Sequence, residues 1–325
     1  MPAAAESSRQ ELEKEHCGVE SDAASGQPEV TRFKRAARLH QARWRQEHGL
    51  LMGGRTSRAG AWTPVGSRLN LDEARRSGAN FLTELSKRAV EHRLGNPEPY
   101  QMLDEVRLRS DLLSSMPMCF NLFGALWGDL SRAETAVRSW FPDAPGRVNE
   151  VRFEWSPGRR DPEYLGNQSA LDAALLLKLP DGARGVVGVE TKYHEHAQPA
   201  PPPRKDQLAR YREVAARSGV FVPGFEAQVV GTDLQQLWLD HLLVLSMLQH
   251  HSRTWRWGRF VLVHPQGNPS FADAGWRYRL LLTDSATFEV RTLEDLLGAD
   301  EALPDELIPL FRERYLMGNP AFRVR

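Results

Sequence analysis

The apolar positions of this chain change period along its length. Over residues 32–45, Phe33, Ala37, Leu39 and Trp44 fall on one stripe and form part of an amphipathic helix. From 71 to about 94, Phe81, Leu82, Leu85, Ala89 and Val90 recur at helical spacing, and Gly95-Asn96-Pro97 supplies a stop. A short helix is expected over 104–113. A stronger one follows over 120–141, with Phe120, Phe123, Leu126, Leu130, Val137 and Trp140 on one side and Pro142 closing it. Its Met and aromatic stripe reads as core.

The period then drops to two. Residues 148–155 alternate, 171–179 form an apolar strand-like run, and 185–193 are β-branched and end in polar residues. Asp181-Gly182 between the last two runs signals a hairpin turn. After prolines at 199 and 201–203, residues 206–218 read as a helix with Leu208, Tyr211 and Val214 inward and Gly219 as its stop. Further on, 234–248 reads as a core helix and 260–263 as a short buried strand. Residues 279–283 with 287–291 read as an edge hairpin, and helices start at Glu294 and run through 311–315.

This order predicts an α/β protein with a central mixed β-sheet and helices on both sides. The expected divisions are a flexible acidic tail over 1–30, a helical N-terminal region over 31–118 packed on the core, and a core with a C-terminal extension over 119–325. The charge pattern motivates the first boundary. Residues 1–30 carry seven acids against Arg9 and Lys14, whereas 31–60 carry eight basic residues against Glu47. That basic helix is either a phosphate-facing arm or a solvated face.

Composition narrows the class. With 41% hydrophobic and 26% charged residues in 325, the chain is long enough for a real core, and collagen-like, disordered and disulfide-scaffold readings are out. Lys plus Arg equals Asp plus Glu at 42 each, so nucleic-acid affinity must come from local patches. The longest apolar run, 237–248, is interrupted by Asp240 and His241 and falls short of a membrane span. The N-terminus lacks a basic start followed by an apolar stretch, so a cytoplasmic protein is expected. Cys17 and Cys119 have no metal-type spacing and read as buried or incidental thiols.

Candidate chemistry lies at the end of the 185–193 strand. Alternation puts Glu190 and Lys192 on one face. Phosphodiester hydrolysis calls for hard oxygen ligands to a Mg²⁺ ion and a cation near the attacking water. Asp172, 18 residues earlier at the start of the preceding strand, is the candidate second carboxylate. Register tests the idea, because directly opposed residues share a side. A strict two-residue turn at Asp181-Gly182 would put Asp172 opposite Thr191, on the wrong face. The site therefore requires an odd loop or a β-bulge, which Gly182, Gly185 and Gly188 can accommodate. No nucleophile elbow, phosphate loop or dinucleotide fingerprint is present.

These residues resemble the PD-(D/E)XK, or restriction-endonuclease-like, nuclease superfamily. Asp172 followed by Glu190-Thr191-Lys192 is similar to its core motif. Gln207 and Tyr211 resemble the Gln-x-x-x-Tyr element of its RecB-like members. The stretches LLSSMPMCFNLFG (112–124), FEWSPGRRDPEYLGNQSALD (153–172) and GVETKYHE (188–195) look like a bacterial subfamily of putative restriction endonucleases. The resemblance runs from about Arg32 to the C-terminus and departs from the motif at Leu171, where a proline is usual. It implies a restriction-endonuclease-like core and a DNA-cleaving, metal-dependent nuclease, with a restriction or defence role. Asp172, Glu190 and the Thr191 carbonyl would bind Mg²⁺, with Mn²⁺ as an alternative. Lys192 would orient or help deprotonate the attacking water.

Glu154, at the end of the first strand, is a candidate additional acid or an ordinary surface residue. Gln207 and Tyr211 would position substrate or Lys192; otherwise they are a surface glutamine and a core tyrosine. Arg204 and Lys205, with Arg210, Arg212 and Arg217, form a basic cluster that would contact phosphates or face solvent. His194, Glu195 and His196 match no structural zinc pattern; Glu195 is expected at the rim, with the histidines in a loop over the site. Trp255 and Trp257 among arginines would stack on bases or pack in the core. Nucleic acid is the expected partner, and cutting both strands of a duplex would favour a homodimer. The rival reading is a catalytically inactive nuclease fold serving as a nucleic-acid-binding or scaffold module.

Overall fold

A computed structural model of the chain describes residues 9–18, 26–299 and 301–317. Two strands, β1 (Met52–Thr56) and β2 (Trp62–Leu69), form an antiparallel hairpin. The remaining five are β3 (Arg147–Trp155), β4 (Leu171–Lys178), β5 (Arg184–Thr191), β6 (Trp255–His264) and β7 (Phe288–Thr292), in the spatial order β3-β4-β5-β6-β7. β3, β4 and β5 are antiparallel, whereas β6 and β7 add in parallel. The direction changes where the connection changes. Residues 156–170 link the antiparallel β3 and β4 and a tight turn links β4 and β5, but parallel pairing needs a crossover. Helices Lys205–Ser218 and Gln235–Leu248 supply the first crossover and Pro269–Arg279 the second. The sheet is mixed and α/β, as expected.

Each face of the sheet carries its own core. Ala173, Leu175, Leu177, Val187 and Val189 pack beneath helices Ser115–Gly128 and Leu130–Trp140. Ala174, Leu176 and Val186 pack against Trp238, Val244 and Tyr211 from the crossover helices. β4 and β5 are thus buried on both sides, which is why they read as unbroken apolar runs rather than alternating ones.

Local breaks divide two of the expected helices. The 71–94 segment is two helices, Leu71–Ser77 and Glu84–Gly95. Gly78 ends the first in the left-handed conformation (φ 65°), and Thr83 caps the second through Ser86 N–H. Phe81 is buried in the break. The 120–141 segment is likewise two helices, meeting at Asp129, whose carboxylate accepts from Arg132 N–H at 3.1 Å. The expected helical region also holds the β1–β2 hairpin.

Two expectations are corrected. Residues 279–291 form no edge hairpin: 269–279 is a helix and β7 pairs in parallel with β6. The helix start is marked by Asn268, which caps Ser270 and Phe271, and by Pro269 in the first turn. Within the expected flexible tail, Arg9–Lys14 is helical, and Leu12 and Cys17 are buried against Leu39 and Ala42. Residues 1–8 and 19–25 of that tail lie outside the described residues.

Candidate active site

The β4–β5 turn decides whether two carboxylates meet. The ladder runs from Lys178 opposite Arg184 to Ala173 opposite Val189 with no register shift. Leu179 N–H donates to Ala183 O at 2.9 Å, so the loop is the three residues Pro180-Asp181-Gly182, with Gly182 at φ 84°. An odd loop is one of the two alternatives that the site requires. Continued by one pair, this register brings Asp172 beside Glu190. Asp172 is anchored there, its Oδ2 accepting from Thr191 N–H at 2.9 Å and Thr191 Oγ1 at 2.6 Å. Gly188 keeps the approach open, because a Cβ on it would stand 2.7 Å from Leu171 Cδ1.

Lys192 Nζ lies 2.7 Å from Glu190 Oε1. Gln236, on the Gln235–Leu248 helix, ties the pair together: its Nε2 donates to Glu190 Oε1 at 2.8 Å, and its Oε1 accepts from Lys192 Nζ at 3.0 Å. These groups line a cavity of about 380 Å³ together with Asp172, Glu154, Glu195, Arg107, Ser115 and His196. The cavity lies where β5 ends, between the two layers of helices that cover the sheet.

Burial sets the electrostatics. It raises the Glu190 carboxyl well above its usual range, with Asp172 adding to the rise and Lys192 opposing it. Burial also raises Asp172, against Lys192 and the Thr191 hydrogen bonds. For Lys192 burial favours the neutral amine, but Glu190, Glu195 and Asp172 outweigh it and hold the ammonium charged. Cys119 lies buried nearby, its thiol pushed up by burial and by the charges of Asp172 and Glu190. A neutral, enclosed thiol is a poor nucleophile.

Not every expected residue reaches the cavity. Glu154 does, at a backbone φ of 46°, and Arg159 pairs with it at 3.3 Å. Burial and Asp172 raise its carboxyl. Gln207 and Tyr211 do not line it: Tyr211 is a buried core residue whose hydroxyl accepts from Asn167 at 3.0 Å. The glutamine that reaches Lys192 is Gln236. Arg204 pairs with Asp206, Arg210 and Arg217 with Glu213, and Arg212 with Glu226, and neither Arg204 nor Lys205 lines the cavity. Trp255 is buried against Trp155, and Arg259 lies over Trp257, so this segment packs rather than presenting rings for stacking.

Glu195 sits deeper than a rim residue. Its carboxylate accepts from Tyr193 N–H at 2.8 Å and from Ser115 N–H, at the start of the Ser115–Gly128 helix, at 3.4 Å. Arg107 lies 3.6 Å away. His194 bonds Leu113 O through Nδ1 at 2.9 Å, and His196 Nδ1 lies 3.2 Å from Lys34 Nζ. Sequence reasoning missed Gln236 and also Asp240, one turn further along that helix. Asp240 is a buried acid inside an apolar run, and that placement was its readable signal.

The carboxyl groups of Glu154, Asp172, Glu190, Glu195 and Asp233 line the cavity, hard oxygen donors of the kind a divalent ion such as Mg²⁺ takes. Asp172, Glu190 and Glu154 do not close to within 4.8 Å as a triple. Among the described residues the only His, Cys, Asp or Glu group that does so is elsewhere, at Glu163, His250 and His251.

A sheet with three antiparallel and two parallel strands, carrying Asp172 and Glu190-x-Lys192 at its β4–β5 end, has the architecture of restriction-endonuclease-like nucleases. The model of the PD-(D/E)XK nuclease superfamily matches residues 28–317, and the chain belongs to that superfamily. No curated protein and no solved structure matches. Among the described residues, no helix is long and apolar enough to cross a membrane.

Proposed function

We propose that this protein is a Mg²⁺-dependent nuclease that hydrolyses phosphodiester bonds in DNA. The carrying observation is the convergence of Asp172, Glu190 and Lys192 on one cavity through an unshifted β4–β5 ladder. Asp172 and Glu190 would hold the ion, with the Thr191 carbonyl as the further ligand the family resemblance implies and Glu154 as an additional acid at the same cavity. When bound, the ion supplies Lewis-acid polarisation of the phosphate and a more acidic water. Lys192, held as an ammonium by its acidic neighbours, orients the attacking water and offsets negative charge growing on the phosphate. Because the charged form is favoured, Lys192 acts through its charge and hydrogen bonds rather than as a base. Gln236 fixes its position, and Arg107, at the cavity wall, is placed for a flanking phosphate.

The test is a cleavage assay on duplex DNA, single-stranded DNA and RNA with Mg²⁺, Mn²⁺ or EDTA. Wild-type protein should cut DNA only with metal. Asp172→Ala and Lys192→Ala should each lose at least about 100-fold while keeping the wild-type circular dichroism spectrum. Cleavage at the wild-type rate by either variant, or full activity in EDTA, refutes the assignment. Metal-independent DNA binding with no cleavage of any substrate would mark a binding module instead.

A further inference from the structure

The residues Glu163, His250 and His251 lie outside the cavity of Asp172 and Glu190. Glu163 belongs to the connection between β3 and β4; the histidines belong to the turn between the Gln235–Leu248 helix and β6. One carboxylate oxygen and two imidazole nitrogens come within 4.8 Å of one another. Both rings aim at the same atom: His250 Nε2 is 2.9 Å and His251 Nδ1 3.3 Å from Glu163 Oε2. Two ligands held at about 2.0–2.1 Å by a tetrahedral zinc ion stand about 3.3 Å apart. The spacings already approach that value.

The ligands are held in place by their surroundings. His250 stacks on Tyr164 with ring centroids 4.8 Å apart and an interplanar angle of 18°, and its Nδ1 lies 2.8 Å from Ser252 Oγ. The Glu163 backbone is pinned from below, where Arg210 donates to Glu163 O at 2.7 Å and to Tyr164 O at 2.8 Å. His251 is 72% exposed, which leaves a solvent-facing side for a water ligand. The ring centroids of His250 and His251 lie 4.5 Å apart, and the neutral imidazole is a common ligand of divalent transition metals.

We propose that Glu163, His250 and His251 form a surface transition-metal site that takes Zn²⁺ through three protein ligands and a water. Imidazole ligands separate this site chemically from the all-oxygen cavity, which suits Mg²⁺. Its effect is a clip: it fastens the connection that delivers Asp172 at the start of β4 to the turn that leads into β6. The proposal is independent of the nuclease reading.

Isothermal titration of the untagged full chain with ZnCl₂, and with CoCl₂ read by visible absorption, tests it. Wild type should bind one equivalent of Zn²⁺ at this site, with a tetrahedral or five-coordinate Co²⁺ spectrum. Asp172→Ala should keep that site. His251→Ala and Glu163→Gln, both at exposed side chains and so expected to fold normally, should weaken it at least about 10-fold. Zn²⁺ should slow amide exchange over residues 156–170 in wild type and not in those two variants. No saturable Zn²⁺ binding by wild type, affinity unchanged in both surface variants, or loss of the site in Asp172→Ala would overturn the proposal.

Discussion

Replacing Asp240 with asparagine should make the metal-free protein more stable, by an amount that depends on pH. Asp240 is buried, and its Oδ2 has no hydrogen-bond partner among the described residues. Burial pushes its carboxyl up to about 7 from the ordinary 3.8, with Lys192 opposing and Asp172 and Glu154 reinforcing the rise. The folded state therefore binds a proton that the unfolded chain has released between those values, and stability falls as pH rises through that window. Each pH unit costs about 1.4 kcal/mol. Relative to a group that never titrates, the cost is on the order of 4 kcal/mol at pH 8, where the buried carboxyl is ionised, and on the order of 2 kcal/mol at pH 5, where the fold takes up a proton that the unfolded chain has released. Asparagine keeps the shape and never ionises. Urea denaturation of wild type and Asp240→Asn at pH 5, 6, 7 and 8 should show the variant ahead, with a gap that widens toward pH 7 and then levels. Taking the difference between the two proteins cancels the titration of other groups that the substitution leaves unchanged. A variant less stable than wild type at pH 8, or a gap that does not change with pH, would refute the reasoning.

Gln236→Leu should slow cleavage by about 10- to 100-fold, because the Glu190–Lys192 pair loses the side chain that bridges it; single-turnover rates at saturating Mg²⁺ are the check. Gly188→Ala should cost about 1–3 kcal/mol in urea denaturation, because its Cβ would stand 2.7 Å from Leu171 Cδ1 and 3.1 Å from Val244 Cγ2. His241 is buried between Tyr278 Oη at 3.0 Å and Thr287 Oγ1 at 2.9 Å, and burial lowers its imidazole to about 3. Its folded value lies below the unfolded one, so its contribution is intact above about pH 6.5 and is lost as pH falls toward 3, by up to about 1.4 kcal/mol per unit. His241→Gln should flatten that acid limb between pH 6.5 and 5, measured as the change in urea midpoint.

Much of this architecture was readable because its signals are local. The switch from helical to strand spacing at 148–193 located β3, β4 and β5, and Gly219 ended the Lys205–Ser218 helix where its left-handed φ of 67° requires. Buried strands read as apolar runs because both faces are covered, and Asp172, Glu190 and Lys192 stood out as charges within or closing such runs. The errors came from reading apolar content without its partner. Residues 280–282 are leucines and 287–291 alternate, which suggested a hairpin, yet Phe288–Thr292 pairs in parallel with a strand that ends 24 residues earlier.

The chain alone determined which segments bury their side chains, and the conditional that the two acids meet only through an odd loop or a bulge. Tertiary structure decided between those two, through a three-residue turn at Pro180-Asp181-Gly182 with no bulge between β4 and β5. It also replaced the expected Gln207 with Gln236, and it assembled Glu163 with His250 and His251 across 87 residues. Spacing along a strand or helix is set by backbone periodicity and can be counted. Which helix lies over the end of β5, and which loop reaches a distant turn, depends on how two cores close on opposite faces of one sheet, and no periodicity within a segment encodes that.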